Sequence, residues 1–245
     1  MSKISVVIPA HNEEALIGRC LASVREAEKR LGEAVEIIVC LNRCTDNTEQ
    51  IAAGFGVILQ EEPEANVARV RNRGLAAASG DILVTLDADT TMSANYLREV
   101  KRLLASGRYI GGAGLMVTDR LNLASILLGL VLVLPAFLLM RFSGGMFWMT
   151  REAYAAVGGF DSGYLTGEDL QMWRALRRYA RAQRQRFGLV TRAYLRTSAR
   201  KMDEFGPWFM LTHPHWFYLA AKGRDKAFAD RYMYRTGRTR QKNKR

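Results

Sequence analysis

The chain has 245 residues, 49% of them hydrophobic and 24% charged, with 21 glycines and a net charge of +12. That is a globular composition, long enough for one large domain with a sizeable core, or for one domain with appendages. Three cysteines, Cys20, Cys40 and Cys44, without a Cys or His cluster at zinc spacing argue against a disulfide scaffold or a zinc site and for a reducing setting.

The positive charge is unevenly placed. Residues 181–245 hold 17 Lys+Arg against 4 Asp+Glu, a balance of +13, while residues 1–180 hold 19 against 20. Such a C-terminal segment seeks an anionic partner, a membrane surface or a nucleic acid.

Residues 2–8 (S-K-I-S-V-V-I) read as a first strand closed by Pro9, too short an apolar run for a secretory signal. Asn12 followed by Glu13 and Glu14 reads as a helix cap with an acidic first turn. Leu16, Ile17, Cys20, Leu21 and Val24 then recur at helical spacing, giving a helix to about Arg30. Residues 34–41 form a second strand. The turn-rich loop 42–48 leads into a short helix ending near Gly54, and residues 56–60 form a third strand. Residues 65–79 read as a helix carrying Arg69, Arg71 and Arg73, and residues 82–86 as a fourth strand. Strand alternating with helix predicts a mostly parallel sheet covered on both faces. Further on, residues 93–106 are helical and the Gly-rich stretch 109–117 is extended. Residues 143–150 form a strand, residues 151–157 a short helix, and Thr166-Gly167-Glu168-Asp169 opens a helix to about Ala180.

The fourth strand runs straight into Asp87-Ala88-Asp89. In an open α/β sheet ligands bind beyond the carboxyl ends of the strands, and two carboxylates one residue apart suit a hard divalent cation such as Mg²⁺ on a diphosphate. A solvated Asp-rich turn is the plain alternative.

Ordered segments resemble the family 2 inverting glycosyltransferases, which have the GT-A fold. They are V-V-I-P-A-H-N-E-E at 6–14, T-D-N-T at 45–48, R-N-R-G at 71–74, L-D-A-D at 86–89, G-G-F-D at 158–161 and G-E-D at 167–169, and the likeness covers about residues 3–180. The resemblance implies that Pro9, Glu13 and Asn42 line a nucleotide pocket and that Arg71 approaches the ribose or phosphates. It also implies that Asp87 and Asp89 hold the ribose and a metal-bound diphosphate, with Mg²⁺ or Mn²⁺ as the metal. Asp169 would be the catalytic base, with Glu168 the second candidate or a partner for the acceptor. Leu41-Asn42 stands where many members have Asp-Asp, so the nucleobase is not specified, although an amide both donates and accepts. Transfer then needs a cation on the leaving diphosphate, a carboxylate to take the acceptor's proton, and attack opposite the leaving group, which inverts the anomeric centre. The helix start is expected to keep Asp169 ionised.

Residues 123–140 carry no charge, a length near the lower limit for a transmembrane helix. A single crossing would put Asp87 and Asp89 on the opposite side from Asp169. A hairpin would leave legs of only roughly 14 Å at about 1.5 Å per residue. A buried helix pair and a membrane-interfacial segment are what is left, with Pro135 as a kink and Arg120 and Arg141 as flanking anchors. Trp208, Phe209, Trp216, Phe217 and Tyr218 are an interfacial type of aromatic cluster, and residues 235–245 read as a disordered basic end that favours anionic lipid. His213 and His215 lack accompanying carboxylates for a metal site.

The expected organisation is a transferase domain at 1–200 with an apolar insertion at 121–142, then an aromatic and basic extension at 201–245. The expected activity is sugar transfer from a nucleoside-diphosphate sugar to a hydroxyl acceptor, lipid-linked acceptors included, at the cytoplasmic face of the cell membrane. The alternatives are a non-catalytic membrane- or nucleic-acid-binding protein on a nucleotide fold, against which the intact acidic set counts, and a nucleotidyltransferase, for which residues 9–16 lack a Gly-rich loop.

Overall fold

The computed structural model describes residues 2–119, 146–200 and 223. The chain begins with β1 (Ile4–Ala10), α1 (Ile17–Leu31), β2 (Val35–Leu41), α2 (Thr48–Ala53), β3 (Ile58–Glu61), α3 (Val67–Ala77) and β4 (Ile82–Thr85). It continues through β5 (Thr90–Met92), α4 (Tyr96–Ala105), β6 (Tyr109–Thr118), β7 (Phe147–Thr150), α5 (Arg151–Val157), α6 (Glu168–Ala182) and β8 (Arg186–Thr197). The strands make one eight-stranded sheet in the order β3-β2-β1-β4-β7-β6-β8-β5.

The first four strands pair in parallel, with Val7 of β1 opposite both Ile38 and Thr85. Beyond β4 the sheet is mixed. β7 runs antiparallel to β4 and β6, β8 parallel to β6, and β5 antiparallel to β8. The expectation of a mostly parallel sheet holds for the N-terminal half, β1 to β4, only. The strands that break it are β7 and β5; the sequence reading places a strand at β7, over 143–150, but contains neither β5 nor β8.

Alternation along β1 supplies both faces of the sheet. Ile4, Val6 and Ile8 pack with Ile17, Leu21 and Val24 of α1 and with Leu97 and Val100 of α4. Val7 faces the other way, with Leu75 of α3, Leu83, Phe147 and Leu176 of α6. Each fully buried Leu, Ile or Val contributes about 1.5–3 kcal/mol relative to exposure. The R-N-R-G glycine has a packing reason: a Cβ on Gly74 would lie 2.4 Å from Val7 Cγ1, so only glycine lets α3 approach β1 this closely.

α1 starts at Ile17 rather than beside Asn12. Asn12 has a left-handed φ of 53°, and its Oδ1 accepts from the Thr45 amide at 2.7 Å. The Glu13 amide donates to Thr48 Oγ1 at 2.7 Å, and Glu14 Oε2 accepts from the Asn47 amide at 3.1 Å. Long-range bonds to the loop after β2 therefore prevail over the local capping pattern. Among the described residues no helix is long and apolar enough to cross a membrane. The apolar run 123–140, His213 and His215, the aromatic cluster and the basic end lie outside the described residues.

Candidate active site

β1 lies between β2 and β4, so the chain reverses its winding there, and the expected site residues lie past the carboxyl ends of these strands. Pro9 is partly exposed near the end of β1, opposite Cys40. Asp87 and Asp89 follow β4. The short turn closed by the Thr90 amide on the Asp87 carbonyl (2.9 Å) sends the chain into β5.

Arg71 is the centre of the arrangement. It projects from α3, is 4% exposed, and donates through Nη2 to Asp87 Oδ1 at 2.9 Å and through Nη1 to Glu168 Oε1. Phe160 of the G-G-F-D turn lies under the guanidinium, 5.3 Å from ring centroid to Cζ. That turn is fixed by Asn72, whose Nδ2 donates to the Phe160 carbonyl (2.7 Å) while its Oδ1 accepts from the Phe160 amide (2.9 Å). Arg69 and Arg73, its neighbours in the motif, are exposed, and Arg69 pairs with Glu64. Among the described residues, the one arginine whose charge is buried thus joins the acidic turn after β4 to the start of α6.

Glu168 is 4% exposed and committed to Arg71, so it holds the start of α6 in place and is poorly suited to take a proton from an acceptor. Asp169 is only partly buried, and its Oδ1 accepts from the Leu170 amide at 2.8 Å. Burial, with the adjacent Glu168 charge, pushes the Asp169 carboxyl up to about 6, against the opposing pull of Arg71. Desolvation thus prevails over the pull of the helix start, yet a carboxyl at about 6 is still mostly ionised at neutral pH. A carboxylate poised near neutrality is suited to general-base work. Gly167 precedes it at φ 70°, a left-handed turn that a residue with a Cβ adopts at a cost. The loop entering α6 is tied from two sides. Asn66 Nδ2 donates to the Ser162 carbonyl (2.8 Å), and the Gly223 carbonyl accepts from the Leu165 amide (2.6 Å).

Asp89 faces a different neighbourhood. Its Oδ1 accepts from Thr90 Oγ1 at 3.2 Å, and Oδ2 lies 3.9 Å from Arg200 Nη2. Arg200 makes a two-pronged bond to Glu13 at 2.6 and 2.9 Å. Sequence reasoning missed Arg200 because only the pairing of β5 with β8, Thr90 opposite Thr197, carries it to the acidic turn. Glu13 is therefore engaged with Arg200. Asn42 is 2% exposed, its Nδ2 donates to the carbonyls of Glu62 (2.6 Å) and Glu64 (2.7 Å), and its Oδ1 is buried without a partner. The amide thus pins the loop after β3, and only its acceptor half is uncommitted, which narrows the expectation that it both donates and accepts.

Among the described residues no three His, Cys, Asp or Glu side chains gather as a metal cluster. The protein offers a pair, Asp87 (side chain 37% exposed, bonded to Arg71) and Asp89 (17%). One or two carboxylates completed by phosphate oxygens and water is the usual set for Mg²⁺, so these residues fit a cation that arrives with a diphosphate.

A parallel α/β half carrying an acidic turn, extended by a mixed sheet that brings a second acidic pair to it, is the arrangement of the GT-A fold. Residues 5–123, just under half of the chain, match the model of Glycosyl transferase family 2. It is 42% identical over 94 residues to the glucosyl-3-phosphoglycerate synthase of Mycobacterium tuberculosis (strain ATCC 25618 / H37Rv), a match covering 35% of this chain and 28% of that one. The crystal structure of the M. tuberculosis synthase with Mn²⁺, UDP and phosphoglyceric acid is similar with a TM-score of 0.60 at 23% identity, over 92% of this chain and 80% of that one. The mannosyltransferase PcManGT from Pyrobaculum calidifontis, in complex with GDP-Man and Mn²⁺, gives a TM-score of 0.62 at 19% identity, over 80% of this chain and 56% of that one. The matches span well under half the length of the curated relatives, from 21% to 40% of each.

Proposed function

We propose that the protein is a metal-dependent inverting glycosyltransferase, moving a sugar from a nucleoside-diphosphate donor to a hydroxyl acceptor at a membrane surface. The observation that carries this reading is the Arg71 bridge, which draws the acidic turn of β4 and the start of α6 into one site. Asp89, with Asp87, would hold Mg²⁺ or Mn²⁺, which stabilises the charge growing on the departing diphosphate. Arg71 orients Asp87, and Asp169 takes the proton of the attacking hydroxyl. Attack from the Asp169 side, opposite the diphosphate, inverts the anomeric centre.

The likeness to proteins solved with UDP and with GDP-Man, both with Mn²⁺, supports a nucleoside-diphosphate sugar and a divalent cation, and two different bases among them leave the nucleobase to experiment. The charge-free run 123–140 and the basic C-terminal residues support a membrane surface and a lipid-linked or lipid-embedded acceptor. A screen of nucleotide sugars with Mn²⁺ and Mg²⁺ tests the reading. Turnover that is abolished by chelation, by Asp89→Ala and by Asp169→Asn, with donor binding retained in the last, is expected. Donor turnover unchanged in both variants would remove the assigned roles.

A further inference from the structure

From Leu170 to Met202 the chain holds nine Arg and one Lys and not one Asp or Glu. Much of this charge lies on α6. Met172, Trp173, Leu176 and Ala180 form its buried face, while Arg174, Arg178 and Arg181, spaced i, i+4, i+7, share the exposed one, and Arg184 follows exposed in the turn after it. Several basic side chains on other helices have carboxylate partners: Arg25 with Glu28, Arg69 with Glu64, Lys101 with Glu33, Arg102 with Glu99. No ion pair among the described residues involves Arg174, Arg178, Arg181 or Arg184. Like charges at this spacing repel one another along a helix. A helix C-terminus favours cations in its last turn, which accounts for Arg181 but not for Arg174 and Arg178.

We propose that this outward face of α6 is a docking surface for an anionic lipid bilayer. The inference rests on the reading of a transferase that works at a membrane. The stripe is about 10 Å long at 1.5 Å per residue and lies on a convex helix face, a shape that meets a plane of phosphates. Single-stranded nucleic acid is held largely by aromatic stacking. The aromatics here are otherwise engaged: Trp173 is in the core, and Tyr179 reaches Glu152 at 3.3 Å. Arg174 is five residues from Asp169, about 7.5 Å of helix rise. A helix lying on the bilayer would keep the base end within reach of a hydroxyl on a lipid-linked acceptor.

The test uses the full chain, Arg174→Gln/Arg178→Gln/Arg181→Gln, and a deletion of residues 236–245. Each is sedimented with phosphatidylcholine vesicles and with mixed phosphatidylcholine–phosphatidylglycerol vesicles at low and high salt. Wild-type protein should bind the anionic vesicles in a salt-sensitive way. Each arginine contributes about fivefold to partitioning, so the triple variant should bind roughly a hundredfold more weakly with its C-terminus intact. Circular dichroism and donor turnover without vesicles should be unchanged in that variant. Donor turnover is read separately, so its absence in wild-type protein would count against the transferase reading and not against the docking surface. Unchanged anionic binding by the triple variant, loss of binding only in the deletion, or binding to single-stranded DNA as tight as to vesicles would each overturn the proposal.

Discussion

Replacing Arg71 tests the centre of the site. Its two carboxylate partners are bonded at hydrogen-bond distance, and both Arg71 and Glu168 are 4% exposed. At an effective dielectric constant of about 20, charges about 4 Å apart attract by roughly 4 kcal/mol. Two such pairs offset the several kcal/mol needed to bury each ion, so the bridge is near neutral as a whole and costly to halve. Arg71→Met strands the Glu168 carboxylate in a closed environment and should cost about 3–5 kcal/mol in urea unfolding at pH 7. Glu168→Gln keeps a hydrogen-bonding amide beside Arg71, which retains Asp87, and should cost about 1–3 kcal/mol. The double variant should be more stable than the sum of the two losses by roughly 1–3 kcal/mol. Additivity within about 0.5 kcal/mol would refute the bridge as a coupled unit. So would a stability of Arg71→Met within about 1 kcal/mol of wild type.

Other outcomes follow from the same geometry. The Asp169 carboxyl titrates at about 6, so transferase rate should fall as pH drops through that value, while the protein loses no stability there. A carboxyl raised above its unfolded value is relieved by protonation, so stability should rise as pH falls from about 6 toward about 4. A rate profile flat from pH 5 to 8 in saturating donor and acceptor would exclude Asp169 as base. Glu36 behaves oppositely. Although burial works against its charge, the hydroxyls of Ser5 and Ser79, the Ser79 amide and the Lys3 ammonium hold the carboxyl at about 2. Its stabilisation is present above about pH 4 and is lost as pH falls through about 2; Glu36→Gln should cost about 2–3 kcal/mol at pH 7, read by denaturant midpoint. Gly74→Ala forces a Cβ onto Val7 and should cost about 1–3 kcal/mol, whereas Gly56→Ala, where nothing lies within 4 Å, meets only the strain of a left-handed backbone.

The sequence carries the first half of the fold in its local patterns. β1, β2 and β4 are mostly apolar, interrupted by Ser5 and Glu36 and closed by Thr85, and α1 and α4 have one clean apolar face. β8 escapes this reading because its period is interrupted. The register with β6 jumps between Gly114 and Leu115, so Val190 and Tyr194 pair with adjacent residues and the intervening 191–193 break the alternation. Arg200 had no local signature at all, since its place depends on β8 reaching β5. The Asn12-Glu13-Glu14 stretch misleads for the opposite reason: it has a strong helix-start pattern, and partners 32 to 35 residues away claim it. Arg71 was legible within its motif, but that Glu168 would be its second partner was not, because residues 97 apart in sequence meet only in the folded sheet.

The bonds between residues 12–14 and 45–48 also bear on how this protein can change. Asn12 with Thr45, Glu13 with Thr48, and Glu14 with both Asp46 and Asn47 knit the two loops into a single lip beside the acidic turn. Exchanging either loop alone for one with a different taste in nucleotide would orphan the donors and acceptors of the other. If the protein takes the donor proposed above, redesign of donor choice is a two-loop graft, and drift at one of these positions should be tolerated only when its opposite number drifts with it.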